Sequence, residues 1–142
     1  MSRTKTPLTE SSEKFYMEIG SRISRSPNTC FSNCLGSALY FVGEIEDERP
    51  IGTKTKPSSF DLFSGLVESL NAQKGVIVVW KKGDHYQHAG VVTSTNPFLI
   101  THREGHQSGL CVNVPFKEVD KRYRVGNIRT TFLVPKKLET SL

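Results

Sequence analysis

The chain has 142 residues, a length typical of one domain, and this excludes a multidomain assembly. Hydrophobic residues make up 36% and charged residues 23%, which indicates a globular protein. Its longest apolar runs are far shorter than the roughly 20 residues that span a bilayer. The formal net charge is +5, and segment 117–137, with seven basic and two acidic residues, accounts for all of it. This excess favours acidic partners: a nucleic acid, an anionic polymer such as a cell wall, or an acidic protein.

The ends of the chain are polar. The N-terminus lacks the apolar segment of a secretory signal, so we expect synthesis in the cytoplasm without a signal peptide. Residues 1–10 and 136–142 are predicted to fray. The cysteines are an odd set of three, Cys30, Cys34 and Cys111, which argues against a disulfide framework and predicts at least one free thiol.

Three helices are predicted in the first half of the chain. The first covers 10–21. The second has apolar residues at positions i, i+3, i+4 and i+7, namely Leu35, Ala38, Leu39 and Val42. Ser32 or Asn33 is its predicted N-cap and Gly43 its end. A third helix begins at about residue 59 and has an apolar face of Phe63, Leu66, Val67 and Leu70.

From residue 75 the chain becomes rich in β-branched and aromatic residues. Strands are predicted over 75–80, 86–93, 98–102, 110–114 and 130–134, with a short basic helix over 116–123. The connections between strands are too short for crossover helices, so the sheet is predicted to be antiparallel. The fold class is therefore α+β, with an N-terminal helical part packing on an antiparallel β-sheet.

Cys34 lies in the first turn of the second helix. A helix N-terminus carries partial positive charge and unpaired N–H groups, so this position predicts a lowered thiol pKa. Gly36 and Ser37 are small and leave room for a close approach to this helix end. The alternative is a buried cysteine that acts only as a small apolar side chain.

Two histidines flank a predicted hairpin. His88 begins one strand, His102 ends the next, and a turn centred on Thr95 would place the two side chains directly opposite each other. A shift of the centre by one residue would make them diagonal neighbours, and a bulge could separate them onto different faces of the sheet. A thiolate nucleophile needs an imidazole as its base and a third polar group to orient that imidazole. Cys34, His88 and His102 fit these three roles, although each histidine taken alone is equally explained as a surface residue.

These residues carry a resemblance to a known family. The run 33–40 around Cys34, the apolar strand 75–80, the run His88-Ala89-Gly90-Val91-Val92 and the strand end at His102 resemble the NlpC-like branch of papain-fold cysteine peptidases and amidases. The resemblance covers roughly 32–114. It implies a papain-like fold for a single domain over 1–142, with Cys34 as nucleophile, His88 as general base and His102 as orienting residue, and no metal or cofactor.

The chain departs from the family's pattern at two points. Asn33 stands where an Asp usually precedes the nucleophile, and no tyrosine stands just before the helix to assist the oxyanion. Asn33 and the more distant Tyr16 are the candidates for a role beside the oxyanion. The backbone N–H of Cys34 is a further donor, because the first N–H groups of a helix are unpaired.

The resemblance also implies a substrate and partners. Members of the family most often cleave peptide bonds of bacterial cell-wall peptidoglycan. The cell wall is an anionic polymer, so the basic segment 117–137 would favour its binding. A small member without a signal peptide is similar to amidases delivered by a dedicated secretion apparatus or released by phage. Such an enzyme requires an inhibitor, or immunity, protein in the producing cell.

Other interpretations remain open. The same thiol chemistry serves a protein deamidase, a protease or an acyltransferase on a substrate outside the wall. A metal site could draw on Cys30, Cys34, His88, His102, His106 and Cys111, all of which are ligand types. A nucleic-acid-binding module could use the basic segment, whose aromatic residues Phe116, Tyr123 and Phe132 could stack on bases. Cys30 and Cys111 are assigned to packing, or to a disulfide of Cys30 with Cys34 that silences the nucleophile.

Overall fold

The computed structural model describes residues 10–54, 56–105 and 109–141. It confirms the α+β class and the antiparallel sheet. The helices are α1 (Glu10–Arg25), α2 (Cys34–Phe41), α3 (Ser59–Ser64), α4 (Phe116–Tyr123) and α5 (Lys136–Ser141). The strands are β1 (Val67–Ser69), β2 (Ile77–Lys82), β3 (His85–Thr95), β4 (Phe98–Arg103), β5 (Leu110–Pro115) and β6 (Arg129–Val134). None of the described helices is long and apolar enough to cross a membrane.

The six strands form one sheet in the order β1-β6-β2-β3-β4-β5. Strands β2 to β5 follow each other as a meander, whereas β6 returns across the sheet to pair with the other edge of β2. This return makes β2 a central strand, and its side chains from Ile77 to Trp80 are fully buried. The unbroken apolar run 76–80 is therefore explained by burial on both faces of the sheet.

Helix α2 begins where the sequence predicts. The Asn33 side chain caps it by accepting a hydrogen bond from the backbone N–H of Gly36 at 2.8 Å. Leu35, Ala38 and Leu39 are buried, and the helix packs on β3 and β4. The cap and the apolar spacing together place Cys34 at the first position of the helix, beside the sheet.

A buried ion pair joins α2 to β4. The Arg103 guanidinium lies 3.1 Å from the Glu48 carboxylate and donates a hydrogen bond to the Ser37 hydroxyl at 2.9 Å. Ser37 in turn donates to Glu48 at 2.6 Å. The Arg103 side chain is completely buried. Because Ser37 lies one turn after Cys34 and Arg103 follows His102, this network connects the helix of one candidate site residue to the strand of another.

Helix α4 docks on the sheet through Phe116, Val119 and the carboxylate of Asp120. The Trp80 indole N–H donates to the Asp120 carboxylate at 2.9 Å, and the Trp80 ring stacks on Phe116. Val119 is buried, whereas the basic side chains of the helix are exposed. The aromatic residues of this helix are half-buried against the core, and the Lys and Arg side chains form its outer face.

Two predictions about chain elements are wrong. The third helix does not continue to Leu70: α3 ends at Ser64, and Val67–Ser69 forms β1 because β6 supplies a partner strand. Fraying of 136–142 is also wrong for α5, whose Leu138 is fully buried. In both cases, contacts with distant parts of the chain override the local pattern. The predicted fraying of 1–9 and of residue 142 falls outside the described residues.

Gly36 provides a test of the close packing around α2. A Cβ atom at this position would collide with the backbone carbonyl oxygen of Arg49, which cannot move without displacing its loop. We expect Gly36→Ala to lower the free energy of unfolding by at least about 2 kcal/mol, measured by urea denaturation. Gly20→Ala is the control, because a Cβ there meets nothing within 4 Å and should stabilise α1 by up to about 1 kcal/mol. Equal effects of the two substitutions would contradict this packing.

Candidate active site

The hairpin of β3 and β4 brings His88 and His102 together, but not as direct opposites. Thr95 pairs with Phe98, so the turn is centred between residues 96 and 97 and not on Thr95, and a bulge at Thr93 leaves Val91 paired with Thr101. His102 consequently lies beside Gly90, and His88 is its diagonal neighbour. The direct pairing expected from the sequence is wrong, while the proximity of the two side chains is confirmed.

Gly90 makes this diagonal contact sterically feasible. A Cβ on residue 90 would lie 3.1 Å from the Cβ of His102 and 3.1 Å from the carbonyl oxygen of Thr101. Without that carbon, the His102 ring reaches across, and its Nδ1 lies 2.8 Å from Nε2 of His88. The two rings meet edge to face, with an interplanar angle of 83°. The glycine two residues after His88 is therefore part of the geometry that joins the histidines.

Both imidazoles are neutral at neutral pH. His88 is 1% and His102 2% exposed. Burial, together with nearby His102 and Arg122, lowers the pKa of His88 from 6.5 to about 3. Burial and Arg122 lower the pKa of His102 to about 4, with Glu104 acting in the opposite direction. Desolvation disfavours the charged ring in each case, so each histidine is available as a proton acceptor.

The hydrogen bond between the histidines leaves Nδ1 of His88 as the nitrogen available to another group. If Nε2 of His88 carries the proton of this bond, Nδ1 of His88 is a lone-pair acceptor, as a general base requires. The same assignment puts the His102 proton on Nε2. In the described part of the chain, that atom is buried and has no hydrogen-bond partner.

The Cys34 thiol lies against the backbone on both sides of His88. Its Sγ is 4.0 Å from the carbonyl oxygen of Gln87, and the backbone N–H of Ala89 faces the sulfur. Helix α2 and strand β3 therefore place the Cys34 thiol beside the main chain that carries His88.

The expected lowering of the Cys34 pKa is wrong. Burial raises the pKa of the thiol, and this outweighs the backbone N–H groups of Ala89, Leu35 and Cys34 that lower it. The amides of Cys34 and Leu35 at the helix N-terminus thus act in the direction that the sequence predicts, but desolvation is the larger effect. The thiol is consequently protonated at neutral pH, beside neutral imidazoles.

Tyr123 belongs to the site, and the sequence did not single it out as a site residue. Its ring stacks on His88 with the centroids 3.8 Å apart and an interplanar angle of 6°. Burial raises the pKa of its hydroxyl, and the nearby Cys34 thiol contributes in the same direction. Tyr123 ends α4, so docking of that basic helix places it there. No local pattern around Tyr123 indicates this contact, because it joins residues 35 positions apart.

The two candidates for the oxyanion differ in position. Asn33 directly precedes Cys34, but its side-chain amide is engaged: the oxygen caps α2, and the nitrogen donates to the carbonyl oxygen of Ile51 at 2.8 Å. Tyr16 lies on α1, with its ring next to Gly75, and the structure does not bring it to Cys34. The backbone N–H groups at the start of α2 remain as donors beside the sulfur.

Cys30 and a cavity beside α1 lie outside this cluster, whereas Cys111 borders it. Burial and the carboxylate of Glu48, which bonds to the Cys30 thiol, raise the pKa of Cys30. Cys111 lies on β5 and is the cross-strand partner of His102 on β4. All three cysteines are free thiols. A cavity of about 590 Å³ lies between α1 and the sheet and is lined by none of Cys34, His88 and His102.

Metal-ligating residue types do not cluster in the described ranges. No group of three or more His, Cys, Asp or Glu side chains there is arranged to hold a metal ion. His106, which the sequence offers as a ligand, lies outside the described residues.

The buried histidines predict a stability that depends on pH. Both have pKa values below 6.5 in the folded protein, so as the pH falls from about 6.5 the unfolded chain binds protons that the folded chain does not. The free energy of unfolding should be highest above about pH 6.5 and decrease by up to about 1.4 kcal/mol per pH unit for each histidine below it. Urea denaturation at about pH 7 and pH 5 measures this. The double variant His88→Gln/His102→Gln should lose most of this pH dependence, whereas substitution of the exposed His85, His85→Gln, should retain it. The same change of stability with pH in the wild type and in both variants would disprove the explanation.

The stack on His88 predicts different effects for two substitutions of Tyr123. Tyr123→Phe keeps the aromatic ring and should leave the alkylation rate of Cys34 at pH 7 within about twofold of the wild type. Tyr123→Leu removes the ring that holds the His88 imidazole in place and should lower this rate about tenfold. Mass-spectrometric quantification of iodoacetamide labelling measures both rates. If the Leu variant labels as fast as the Phe variant, the stack does not position the imidazole.

Comparison with known proteins adds no relative. No protein-family model matches the chain, and neither curated proteins nor solved structures include a significant match. The functional interpretation therefore depends on the residues and geometry of this cluster.

Proposed function

We propose that the chain is a cysteine hydrolase that cleaves amide or peptide bonds with Cys34, His88 and His102. The observation that carries this proposal is the position of the Cys34 thiol, against the backbone that flanks His88, while Nε2 of His88 is 2.8 Å from Nδ1 of His102. A catalytic triad needs a nucleophile, a base whose free nitrogen can accept the proton of the nucleophile, and a third group that orients the base.

The neutral pair determines the order of proton transfer. With the thiol pKa raised and the imidazole pKa lowered by burial, the thiolate does not form in advance. Nδ1 of His88 instead accepts the thiol proton as the sulfur attacks the substrate carbonyl. The C–N bond then breaks, the proton passes from His88 to the leaving amine, and a thioester with Cys34 remains. Water, deprotonated by His88, hydrolyses the thioester and restores the thiol.

His102 and the start of α2 support this reaction. When His88 takes the proton, its Nε2–H donates to Nδ1 of His102, which keeps the ring oriented and disperses the positive charge. The negative charge on the carbonyl oxygen develops next to the N–H groups of Cys34 and Leu35, which are directed at the sulfur and have no partner within the helix.

The fold and substrate class are also part of the proposal. A papain-like, NlpC-type fold is supported by the order of the elements: the cysteine at the start of a helix, then the apolar strand β2, then a histidine on each of β3 and β4. Peptidoglycan peptides are the proposed substrate, supported by the exposed basic side chains of α4 next to Tyr123. An inhibitor protein, and delivery by a secretion apparatus or phage, follow from this substrate.

Packing of the aromatic residues favours the hydrolase over a nucleic-acid-binding module. Phe116 stacks on Phe98 with centroids 4.2 Å apart, Phe132 lies against both, and Tyr123 covers His88. Rings that are half-buried and stacked on other rings of the protein offer little free surface for stacking on bases.

Hydrolysis of purified peptidoglycan tests the proposal. The wild type should release peptides that mass spectrometry identifies, and Cys34→Ala and His88→Gln should each reduce the rate about a thousandfold or more. Cys30→Ser is the matched control, because a hydroxyl can replace the thiol that bonds to Glu48. Full activity of the Cys34→Ala variant would refute the mechanism.

The alkylation rate of Cys34 tests the catalytic pair without a substrate. If His88 accepts the thiol proton, iodoacetamide should label Cys34 at pH 7 about tenfold faster in the wild type than in His88→Gln. Equal rates in the two proteins would show that Cys34 and His88 do not act together, whatever the substrate.

A further inference from the structure

Nε2 of His102 lacks the hydrogen-bond partner that a buried polar atom normally has. His102 is almost completely buried, and this nitrogen is the one such side-chain atom without a partner in the described ranges. Its other nitrogen is bonded to His88. In the proposed reaction, Nε2 of His102 carries a proton, so the acceptor that is missing would be an oxygen or a lone-pair nitrogen.

Four ionisable groups besides Cys34 lie around the histidine pair. Arg122 of α4 acts on both imidazoles, and Tyr123 of α4 stacks on His88. Cys111 pairs with His102 from β5, and Glu104 follows β4 two positions after His102. Side chains two positions apart on an extended chain point to the same side, and Glu104 continues the ladder through its N–H to Gly109 at 3.3 Å. Glu104 is the one carboxylate in this set.

Arg122 holds the Glu104 carboxylate at the edge of the site. Its guanidinium nitrogen lies 2.6 Å from one oxygen of Glu104, and the two side chains are 51% and 42% exposed. No hydrogen bond from the described residues reaches the second oxygen of Glu104. Arg122 thus holds one carboxylate oxygen of Glu104, and the other oxygen can accept a further hydrogen bond.

We propose that Glu104 is a positioning residue for the histidine pair, supplying the acceptor that Nε2 of His102 lacks, directly or through a water molecule, while Arg122 limits its effect. This inference rests on the proposed function, because it extends Cys34, His88 and His102 by a fourth group. Glu104 does not touch the substrate and acts only through His102.

The two charges of this ion pair act on the imidazoles with opposite sign. When His88 takes the proton of Cys34, the positive charge on the ring is stabilised by the Glu104 carboxylate and opposed by the Arg122 guanidinium. The His88 proton on Nε2 is shared with His102, and the His102 proton on Nε2 is shared with Glu104. No proton leaves the chain of groups, so the ion pair changes only the ease with which His88 accepts the thiol proton.

Because Glu104 and Arg122 act on the imidazoles with opposite sign, substituting each of them separates a positioning role from a structural one. Glu104→Gln and Arg122→Gln break the same ion pair, so a purely structural pair predicts similar effects of the two substitutions. We expect Glu104→Gln to lower the alkylation rate of Cys34 at pH 7 about threefold to tenfold and Arg122→Gln to raise it by a similar factor. Glu118→Gln and Lys82→Gln are the controls: each removes the same charge from an exposed side chain that has no part in the proposed site, and each should change the rate less than twofold.

A second measurement reads the imidazoles themselves. In a ¹⁵N NMR titration, Arg122→Gln should raise the titration midpoints of the histidine pair by about half to one pH unit, and Glu104→Gln should not raise them. Circular dichroism establishes that each variant is folded. Equal decreases in alkylation for Glu104→Gln and Arg122→Gln, or no change in either, would overturn the inference.

The failure of the inference differs from the failure of the proposed function. If His88→Gln lowers Cys34 alkylation but Glu104→Gln does not, the catalytic pair stands and Glu104 has no part in it. If His88→Gln leaves Cys34 alkylation unchanged, the proposed function fails, and with it a role for Glu104 in catalysis. This holds even if Arg122→Gln and Glu104→Gln shift the titration midpoints of the imidazoles in opposite directions.

Discussion

The site depends on the buried ion pair between Arg103 and Glu48. Arg103 directs its guanidinium to Glu48, to the hydroxyls of Ser37 and Ser26 and to the carbonyl oxygens of Pro27 and Asn28. A charge removed from water is tolerated only when such partners replace its hydration, and loss of one partner typically costs about 3–5 kcal/mol. Because this network joins α2 to β4, it sets where the Cys34 thiol lies relative to His102.

Burial determines the chemistry of the cluster more than the helix N-terminus does. The amides at the start of α2 favour a thiolate, yet burial raises the Cys34 pKa and lowers that of His88 to about 3. Both groups consequently rest in their neutral forms. A site of this kind requires proton transfer and bond formation to occur together, and its reactivity then responds to any charge that changes how readily His88 accepts a proton.

Helix α4 connects the basic surface to the site. Its inner side is held by Trp80, whose indole N–H bonds to Asp120, and this docking brings Tyr123 onto the His88 ring. The next residue towards the N-terminus, Arg122, reaches Glu104 at the end of β4. One short helix therefore contributes the ring that covers His88 and a cation that acts on it. Its exposed basic side chains are the surface that we propose for an anionic substrate.

Local chemistry along the chain predicts part of the fold. The spacing of Leu35, Ala38 and Leu39 after the Asn33 cap predicts α2, and the short connections predict an antiparallel sheet with His88 and His102 near each other. Contacts between distant segments account for the rest of the structure. The position of the turn and the bulge at Thr93 made the histidines diagonal, β6 turned 67–69 into a strand, and α4 placed Tyr123 on His88. Burial also reversed the expected pKa shift of Cys34. Caps and apolar periodicity act between residues a few positions apart, whereas register, burial and the charge around a buried ring depend on contacts between distant segments, which no local pattern contains.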